Sequence, residues 1–217
     1  MIKAFIFDMD GVIIDSEPMH LEVDFETVQH LGIDLTRQDL EKYVGMANPE
    51  MWGQIKQQFN LHKSVEEIIA YQLKRKIAII DEMDIEPIEG IRALINELQN
   101  SHVAIGLASS SPREFIEKVL KKFNIIEHFS CITSGEEIGR GKPAPDVYLE
   151  AARILNVNPE HCIALEDSKN GVTAANKAGM KCIGFINPNS GTQDLSEAVS
   201  TVKSIKEINV KELINLY

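Results

Sequence analysis

Carboxylate side chains follow two apolar segments of this sequence and are the first candidates for chemistry. Asp8 and Asp10 stand two residues apart, so their side chains lie on one side of an extended chain, and Gly11 allows a sharp turn directly after them. Glu166 and Asp167 end a second apolar segment. Clustered carboxylate oxygens suit Mg²⁺, which favours one or two carboxylates together with phosphate and water. The pattern therefore predicts a Mg²⁺ site where the two segments meet.

A hydroxyl group and an ammonium group extend this set. Ser109 and Ser110 follow another apolar segment, where a hydroxyl beside the amides of a helix N-terminus can bind phosphate, although a simple turn and helix cap would use the same residues. Lys142 lies among two glycines and two prolines, which restrict its loop. A loop lysine is ordinarily solvated, but this one would balance the charge of the carboxylates. A hydroxyl segment that can bind phosphate and a lysine that balances the carboxylates therefore belong to one candidate catalytic set.

Other phosphate- and nucleophile-bearing motifs do not fit the sequence. A P-loop that ended at Gly141-Lys142 would need glycine where Glu136 stands and Ser or Thr where Pro143 stands. The same segment lacks the third glycine of a dinucleotide-binding loop. Ser109 is not in the Gly-x-Ser-x-Gly pattern of a hydrolase nucleophile.

Short apolar segments alternate with amphipathic ones, which is typical of a parallel sheet covered by helices. The predicted strands are Ala4–Phe7, Val103–Ala108, Cys131–Thr133, Cys162–Leu165 and Lys181–Ile186. The predicted helices between them are Ile88–Leu98, Pro112–Phe123 with Ser111 as its N-cap, Pro145–Leu155 and Ser168–Ala178, the last ending at Gly179. The alternation predicts an α/β fold with a doubly wound, Rossmann-like parallel sheet, which binds ligands at the carboxyl ends of its strands.

One interval contains helical patterns only. They cover Glu17–Leu31, Arg37–Val44, Pro49–Phe59 and Val65–Ile80. We therefore expect an all-helical domain over 15–86, inserted into an α/β core formed by 1–14 and 87–217. The hinges would lie near Ile14–Ser16 and Asp84–Gly90.

Composition excludes several classes of protein. Of 217 residues, 33 are acidic and 22 basic, and the net charge of −11 argues against a nucleic-acid partner. No apolar stretch approaches the ~20 residues that span a bilayer. We find no signal-peptide pattern in the first residues and expect a cytoplasmic protein. A monomer is the default expectation for its oligomeric state. Cys131, Cys162 and Cys182 are far apart and are expected to be buried, reduced thiols.

The four polar groups, in this order, resemble the motifs of the haloacid dehalogenase superfamily. The resemblance rests on Asp8-Met9-Asp10-Gly11-Val12, Ser109, Lys142 in Gly-Lys-Pro-Ala-Pro-Asp, and Glu166-Asp167-Ser168, and it runs essentially end to end. The spacing and the helical insert are most similar to the β-phosphoglucomutase-like phosphatase branch. The motifs are specific for the superfamily and much less so for substrate. The second aspartate of the first motif favours phosphoryl transfer over dehalogenation.

The resemblance implies a role for each core residue. Asp8 would be the nucleophile that forms an aspartyl-phosphate, and Asp10 would be the general acid and base. Asp8, Asp167 and the backbone carbonyl of Asp10 would bind Mg²⁺, with Glu166 acting through water. Ser109, Ser110 and Lys142 would bind the phosphoryl oxygens.

The resemblance also implies that the helical insert is a cap that closes over the site and contacts the substrate. His20 and Lys76 resemble cap residues that contact substrate or the acid–base aspartate. The segment Gly45-Met46-Ala47-Asn48-Pro49 resembles a specificity loop. Asn48 stands where the mutases have an arginine that binds a second phosphate, which puts mutase activity in doubt.

The leading hypothesis is a Mg²⁺-dependent phosphohydrolase acting on a small phosphorylated metabolite, with sugar phosphates as the first class to test. A sugar phosphomutase of the β-phosphoglucomutase type is the alternative on the same scaffold. A phospho-accepting, receiver-like signalling domain is a more distant alternative, because receivers also place carboxylates, a hydroxyl and a lysine at strand ends. The helical insert between Asp15 and Glu86 argues against it.

Overall fold

The computed structural model describes residues 1–43, 46 and 48–216. The chain divides into two compact units, one formed by Met1–Asp15 with Ile85–Tyr217 and the other by Ser16–Asp84. The borders of the second unit lie one and two residues inside those of the predicted insertion over 15–86. The role of this unit as a cap stays a prediction. Each unit has its own hydrophobic core and is described by itself below.

The first unit is built on a six-stranded, wholly parallel sheet with the strand order β3-β2-β1-β4-β5-β6. The strands are β1 (Ala4–Phe7), β2 (Ala104–Ser109), β3 (Cys131–Ser134), β4 (Cys162–Glu166), β5 (Lys181–Phe185) and β6 (Ser200–Val202). The predicted parallel α/β fold is confirmed. Sequence analysis missed β6, because its three residues are largely exposed and two of them are polar.

Chain order reverses at β1, which lies between β2 and β4. All four residues of β1 are buried, as expected for a parallel strand covered on both faces. Phe7 pairs with Leu107 on one side and Leu165 on the other. The residues after these three therefore emerge side by side at the point of reversal, where open α/β sheets bind their ligands.

Helices are numbered along the whole chain, so the α-helices described in the first unit begin with α5. They are α5 (Ile91–Asn100), α6 (Arg113–Lys122), α7 (Asp146–Leu155), α8 (Lys169–Lys177) and α9 (Val210–Leu216). The apolar side of α7 contributes Val147, Tyr148, Ala151 and Ala152 to the core that it shares with α8 and the sheet. The helix α9 was not predicted. The three cysteines are buried and free, as expected.

Two serines lie close to helix N-termini, and only one of them is an N-cap. Ser168, predicted as the first residue of a helix, instead precedes α8 as its N-cap, and its hydroxyl accepts a hydrogen bond from the backbone N–H of Gly171 at 3.0 Å. The predicted N-cap role of Ser111 is wrong. Pro112 occupies the N-cap of α6 with extended backbone, so Ser111 lies one residue too early and makes another bond.

The second unit contains α1 (Glu17–His30), α2 (Arg37–Leu40), α3 (Asn48–Phe59) and α4 (Val65–Glu82). Trp52 is fully buried in its core and donates from Nε1 to Gln72 Oε1 at 2.8 Å. The predicted helix Arg37–Val44 is wrong in part, since a 3₁₀ turn replaces α-helix over Glu41–Tyr43 and Val44 lies outside the described residues. Among the described helices, none has the length and apolar character needed to cross a membrane.

The predicted specificity loop over 45–49 is also shorter than expected. Asn48 is the first residue of α3, so it and Pro49 belong to the helix. Gly45 and Ala47 lie outside the described residues.

Candidate active site

The register of the sheet brings two of the predicted groups together beside the backbone of β2. Asp8 follows β1, Glu166 is the last residue of β4, and Ala108 lies on β2 level with both. Asp8 and Asp167 are buried, and Glu166 is 0% exposed. Buried carboxylates are costly unless a cation compensates them. The site therefore needs positive charge close by.

Lys142 supplies that charge from the loop before α7. Its Nζ donates to Asp8 Oδ1 at 2.7 Å, to Glu166 Oε1 at 2.6 Å and to the backbone oxygen of Ala108 at 3.0 Å. These acceptors match the three N–H groups of an ammonium. Only 7% of the side chain is exposed, so Lys142 is not a solvated loop lysine. Burial by itself would lower the pKa of Lys142, but the charges of Asp8 and Glu166 raise it above its ordinary value.

Glu166 is held by protein donors on both of its oxygens. Oε1 accepts from Lys142 and from the hydroxyl of Tyr148, the latter at 2.7 Å. Oε2 accepts from the hydroxyl and the backbone N–H of Ser168, at 3.0 and 3.3 Å. Four donors account for the lone-pair positions that a carboxylate offers. The carboxylate of Glu166 is therefore fully engaged by protein donors, one of which is the ammonium of Lys142.

The carboxylates Asp8, Glu166 and Asp167 form a cluster that could bind a metal ion. One ligand atom from each lies within 4.8 Å of the others, and all three residues are buried. Burial raises the pKa of Asp8 well above its usual range despite the opposing charge of Lys142. Burial and the charge of Glu166 raise the pKa of Asp167 to about 7. Three carboxylates facing one ammonium fit a hard divalent cation.

The acid–base candidate Asp10 lies next to the serine segment. The hydroxyl of Ser111 donates to Asp10 Oδ2 at 2.6 Å. The backbone N–H of Ser111 donates to Ser109 Oγ at 3.0 Å, and its carbonyl accepts from the hydroxyl of Ser134 at 2.7 Å. Ser109 is fully buried, whereas Ser110 is exposed. Sequence analysis treated Ser111 only as a helix cap and missed its contact with Asp10.

The loop after β5 also reaches the site and was missed. Ser190 donates from its hydroxyl to Asp167 Oδ2. Asn187 donates from Nδ2 to the carbonyl of Gly11 at 2.8 Å. Gly11 has a φ of +74°, and a Cβ there would lie 1.9 Å from Asp167 Oδ2. Only glycine therefore allows the first motif to turn this close to Asp167.

The remaining predicted residues belong to the second unit. His20 lies on α1, Asn48 begins α3, Lys76 lies on α4, and all three are half-buried. Burial raises the pKa of Asp24 on α1, and the positive charges of Lys76 and His20 oppose that rise. Asp24 also accepts a hydrogen bond from Nε2 of Gln72. The predicted substrate contacts of His20, Asn48 and Lys76 stay predictions.

Comparison with known proteins agrees with this geometry. Residues 5–185 match the family described as haloacid dehalogenase-like hydrolase, and the chain belongs to this family. Hexitol phosphatase B of Escherichia coli (strain K12) is 34% identical over 98% of this chain and 97% of its own length. The beta-phosphoglucomutase of Bacillus subtilis is 31% identical over 84% of this chain and 83% of its own. The crystal structure of CbbY from Rhodobacter sphaeroides in complex with phosphate superposes with a TM-score of 0.84 at 27% identity, covering 95% of this chain and 96% of that one.

These similarities confirm the predicted superfamily and its β-phosphoglucomutase-like branch. They also confirm that the chain is a hydrolase-family enzyme and remove the support for a receiver-like signalling domain.

The close packing around Glu166 predicts the effect of adding one methyl group. A Cβ at Gly171 on α8 would lie 1.9 Å from Glu166 Oε1, whereas a Cβ at Gly53 on α3 would meet no atom within 4 Å. We expect Gly171→Ala to lower the free energy of unfolding by about 1–3 kcal/mol, because Glu166 must move. We expect Gly53→Ala to raise it by about 0.5–1 kcal/mol, because alanine favours helix.

The two free energies can be measured by urea denaturation under the same conditions. If Gly171→Ala is as stable as the wild type, the side chain of Glu166 does not occupy the described position.

Proposed function

We propose that this protein is a Mg²⁺-dependent phosphatase that releases phosphate from a sugar phosphate through an aspartyl-phosphate on Asp8. The observation that carries the proposal is the buried ammonium of Lys142 between Asp8 and Glu166, at 2.7 and 2.6 Å. This arrangement places a fixed positive charge beside a carboxylate nucleophile. Transfer of a phosphoryl group depends mainly on such positioning and on compensation of the charge on its oxygens.

The carboxylates divide the chemistry between them. A carboxylate oxygen of Asp8 attacks phosphorus and the bond to the leaving oxygen breaks, while Asp10 gives its proton to that oxygen. Asp10 then takes a proton from the water that attacks the phosphorus of the aspartyl-phosphate. The products are inorganic phosphate and a free Asp8. The bond from Ser111 to Asp10 supports this role by orienting the acid–base carboxyl group.

The donor set supports Mg²⁺ as the cofactor. Asp8 and Asp167 would ligate the ion directly, with the backbone carbonyl of Asp10, and when bound it would compensate the charge on the phosphoryl oxygens. Glu166 would act on the ion from outside this set of ligands, because its oxygens already accept bonds from Lys142, Tyr148 and Ser168. Ser109, Ser110 and Lys142 would bind the phosphoryl oxygens.

We propose that the helical unit Ser16–Asp84 is a cap that reads the rest of the substrate. Two charged residues and one uncharged residue within it bear on specificity. Asn48 carries no charge, and the positive charge of Lys76 is countered by Asp24, with which it interacts electrostatically. This combination is poorly suited to a second phosphate group and favours a substrate whose remaining part, away from the transferred phosphate, is neutral and rich in hydroxyl groups. The sugar-alcohol phosphatase named among its relatives is consistent with this choice.

A sugar phosphomutase is the second candidate, and the similarity to a beta-phosphoglucomutase favours it. A mutase must retain a bisphosphate intermediate until that intermediate has rebound in the opposite orientation. Arginine serves this purpose because its planar group donates two parallel hydrogen bonds to one phosphate. Asn48 in the corresponding position favours hydrolysis instead.

The nucleophile assignment predicts that Asp8→Asn abolishes turnover of p-nitrophenyl phosphate without unfolding the protein. An amide cannot form the aspartyl-phosphate. Asp34→Asn, at an exposed position of the second unit, is the matched control and should keep wild-type activity. Retention of more than about a tenth of the activity by Asp8→Asn, a loss of only about 1.4 kcal/mol in barrier lowering, would contradict the assignment.

The charge cluster predicts that stabilisation by Mg²⁺ grows with pH. The pKa of Asp167 is raised from 3.8 to about 7 by burial and by Glu166. Without metal, the folded protein therefore holds a proton that the unfolded chain loses, so its stability falls as pH rises from about 4 to about 7. Mg²⁺ must displace that proton at the lower pH, and the rise in Tm on adding Mg²⁺ should be larger at about pH 8 than at about pH 6.

Asp167→Asn serves as the control, because its side chain does not titrate. This variant should lose most of the Mg²⁺-dependent rise in Tm at both pH values. Equal Mg²⁺ stabilisation of the wild type at both pH values would speak against Asp167 as a ligand.

The specificity argument predicts net phosphate release with little isomerisation. We expect phosphate release from β-glucose 1-phosphate to exceed formation of glucose 6-phosphate by about tenfold or more, a difference of about 1.4 kcal/mol in barrier. Both products can be measured in one sample. Asn48→Arg should raise the mutase activity detectably, because it restores a group for a second phosphate. Isomerisation that outpaces phosphate release tenfold in the wild type would instead establish the mutase.

A further inference from the structure

Tyr148 lies inside the site, yet the mechanism above gives it no task. It is on α7 and is 0% exposed. Its hydroxyl donates to Glu166 Oε1 at 2.7 Å, and the centre of its ring lies 5.1 Å from Lys142 Nζ. One side chain therefore contacts both members of the ion pair. Its ring face also attracts the ammonium through the cation–π interaction.

Lys142 and Tyr148 both donate a hydrogen bond to the same oxygen atom of Glu166. Glu166 Oε1 accepts from Lys142 at 2.6 Å and from Tyr148 at 2.7 Å. Donation by the phenol withdraws part of the negative charge that Oε1 would otherwise present to the ammonium. Lys142 is then shared between Glu166 and Asp8, whose Oδ1 lies at 2.7 Å. Without the phenol, the pairing of Lys142 with Glu166 would strengthen at the expense of Asp8.

Burial makes the hydroxyl hard to replace. Glu166 and Tyr148 are both 0% exposed, so bulk water has no access to the oxygen that the phenol serves. A buried acceptor that loses its donor retains the cost of desolvation. Ser168 cannot compensate, because its hydroxyl and N–H bind the other oxygen of Glu166.

We propose that Tyr148 is a positioning residue. Its hydroxyl holds the carboxylate of Glu166 so that the ammonium of Lys142 stays on Asp8 and, during the reaction, on the transferred phosphoryl group. This inference rests on the proposed phosphatase function. It predicts an effect on the chemical step and little effect on substrate binding, because Tyr148 contacts Lys142 and Glu166 from within the core.

The test is Tyr148→Phe, which keeps the ring and removes only the hydroxyl. With p-nitrophenyl phosphate and saturating Mg²⁺, we expect kcat to fall about tenfold and KM to change less than about twofold, as expected when an interaction made mainly in the transition state is weakened. Tyr71→Phe is the matched control, since Tyr71 stacks on His30 in the second unit and lies outside the proposed machinery. It should leave both constants unchanged.

A second measurement reports on Lys142 without turnover. The ammonium resonance of Lys142 can be assigned by NMR as the signal that is missing from Lys142→Ala. We expect this resonance to shift in Tyr148→Phe and to stay in place in Tyr71→Phe, because only the first change alters the bonding around the ammonium.

The outcomes separate this inference from the function on which it rests. A wild-type protein without phosphatase activity would refute the proposed function. An active wild type with either an unchanged kcat or an unchanged Lys142 resonance in Tyr148→Phe would overturn the positioning role alone. A Tyr148→Phe protein that does not fold would assign the hydroxyl to stability and would overturn that role as well.

Discussion

The ion pair that Lys142 forms with Asp8 and Glu166 is the interaction on which the rest of the site depends. It lies in the interior, with side-chain exposures of 7% for Lys142 and 0% for Glu166. Removing one member of a buried pair leaves the other charge uncompensated, which is strongly destabilising. Asp8 follows β1, Glu166 ends β4 and Lys142 lies in the loop before α7. The ion pair therefore forms only when β1 and β4 pair in the observed register.

The same charges explain why the site is suited to a metal and a phosphoryl group. One ammonium does not compensate three carboxylates, and the pKa values of Asp8 and Asp167 are raised first by burial and further by the neighbouring carboxylates. A divalent cation would relieve this repulsion and allow both aspartates to stay ionised. Close packing keeps the groups in place, since even a Cβ at Gly11 would overlap Asp167. Charge and packing therefore act on the same few atoms.

The helical unit, as the proposed cap, contains the residues on which the proposed specificity rests. The uncharged Asn48 and the partly compensated Lys76 distinguish it from a cap built to bind two phosphates. Under the proposed mechanism, hydrolysis and return of the phosphoryl group to a sugar would begin with the same attack by Asp8. We therefore propose that the helical unit, rather than the core motifs, decides between the two outcomes.

The sequence by itself determined the parallel α/β fold, the five buried strands and the polar residues that meet at the carboxyl ends of those strands. These features follow local rules: apolar runs form buried strands, and polar residues at their carboxyl ends share one edge of the sheet. Only the tertiary structure decided which site residues Tyr148, Ser111 and Ser190 contact. Their bonds join residues 18, 101 and 23 positions apart, and no local pattern distinguishes such residues from ordinary core or turn residues. The strand β6 was missed for a related reason, because three mostly exposed residues acquire strand structure only by pairing with β5.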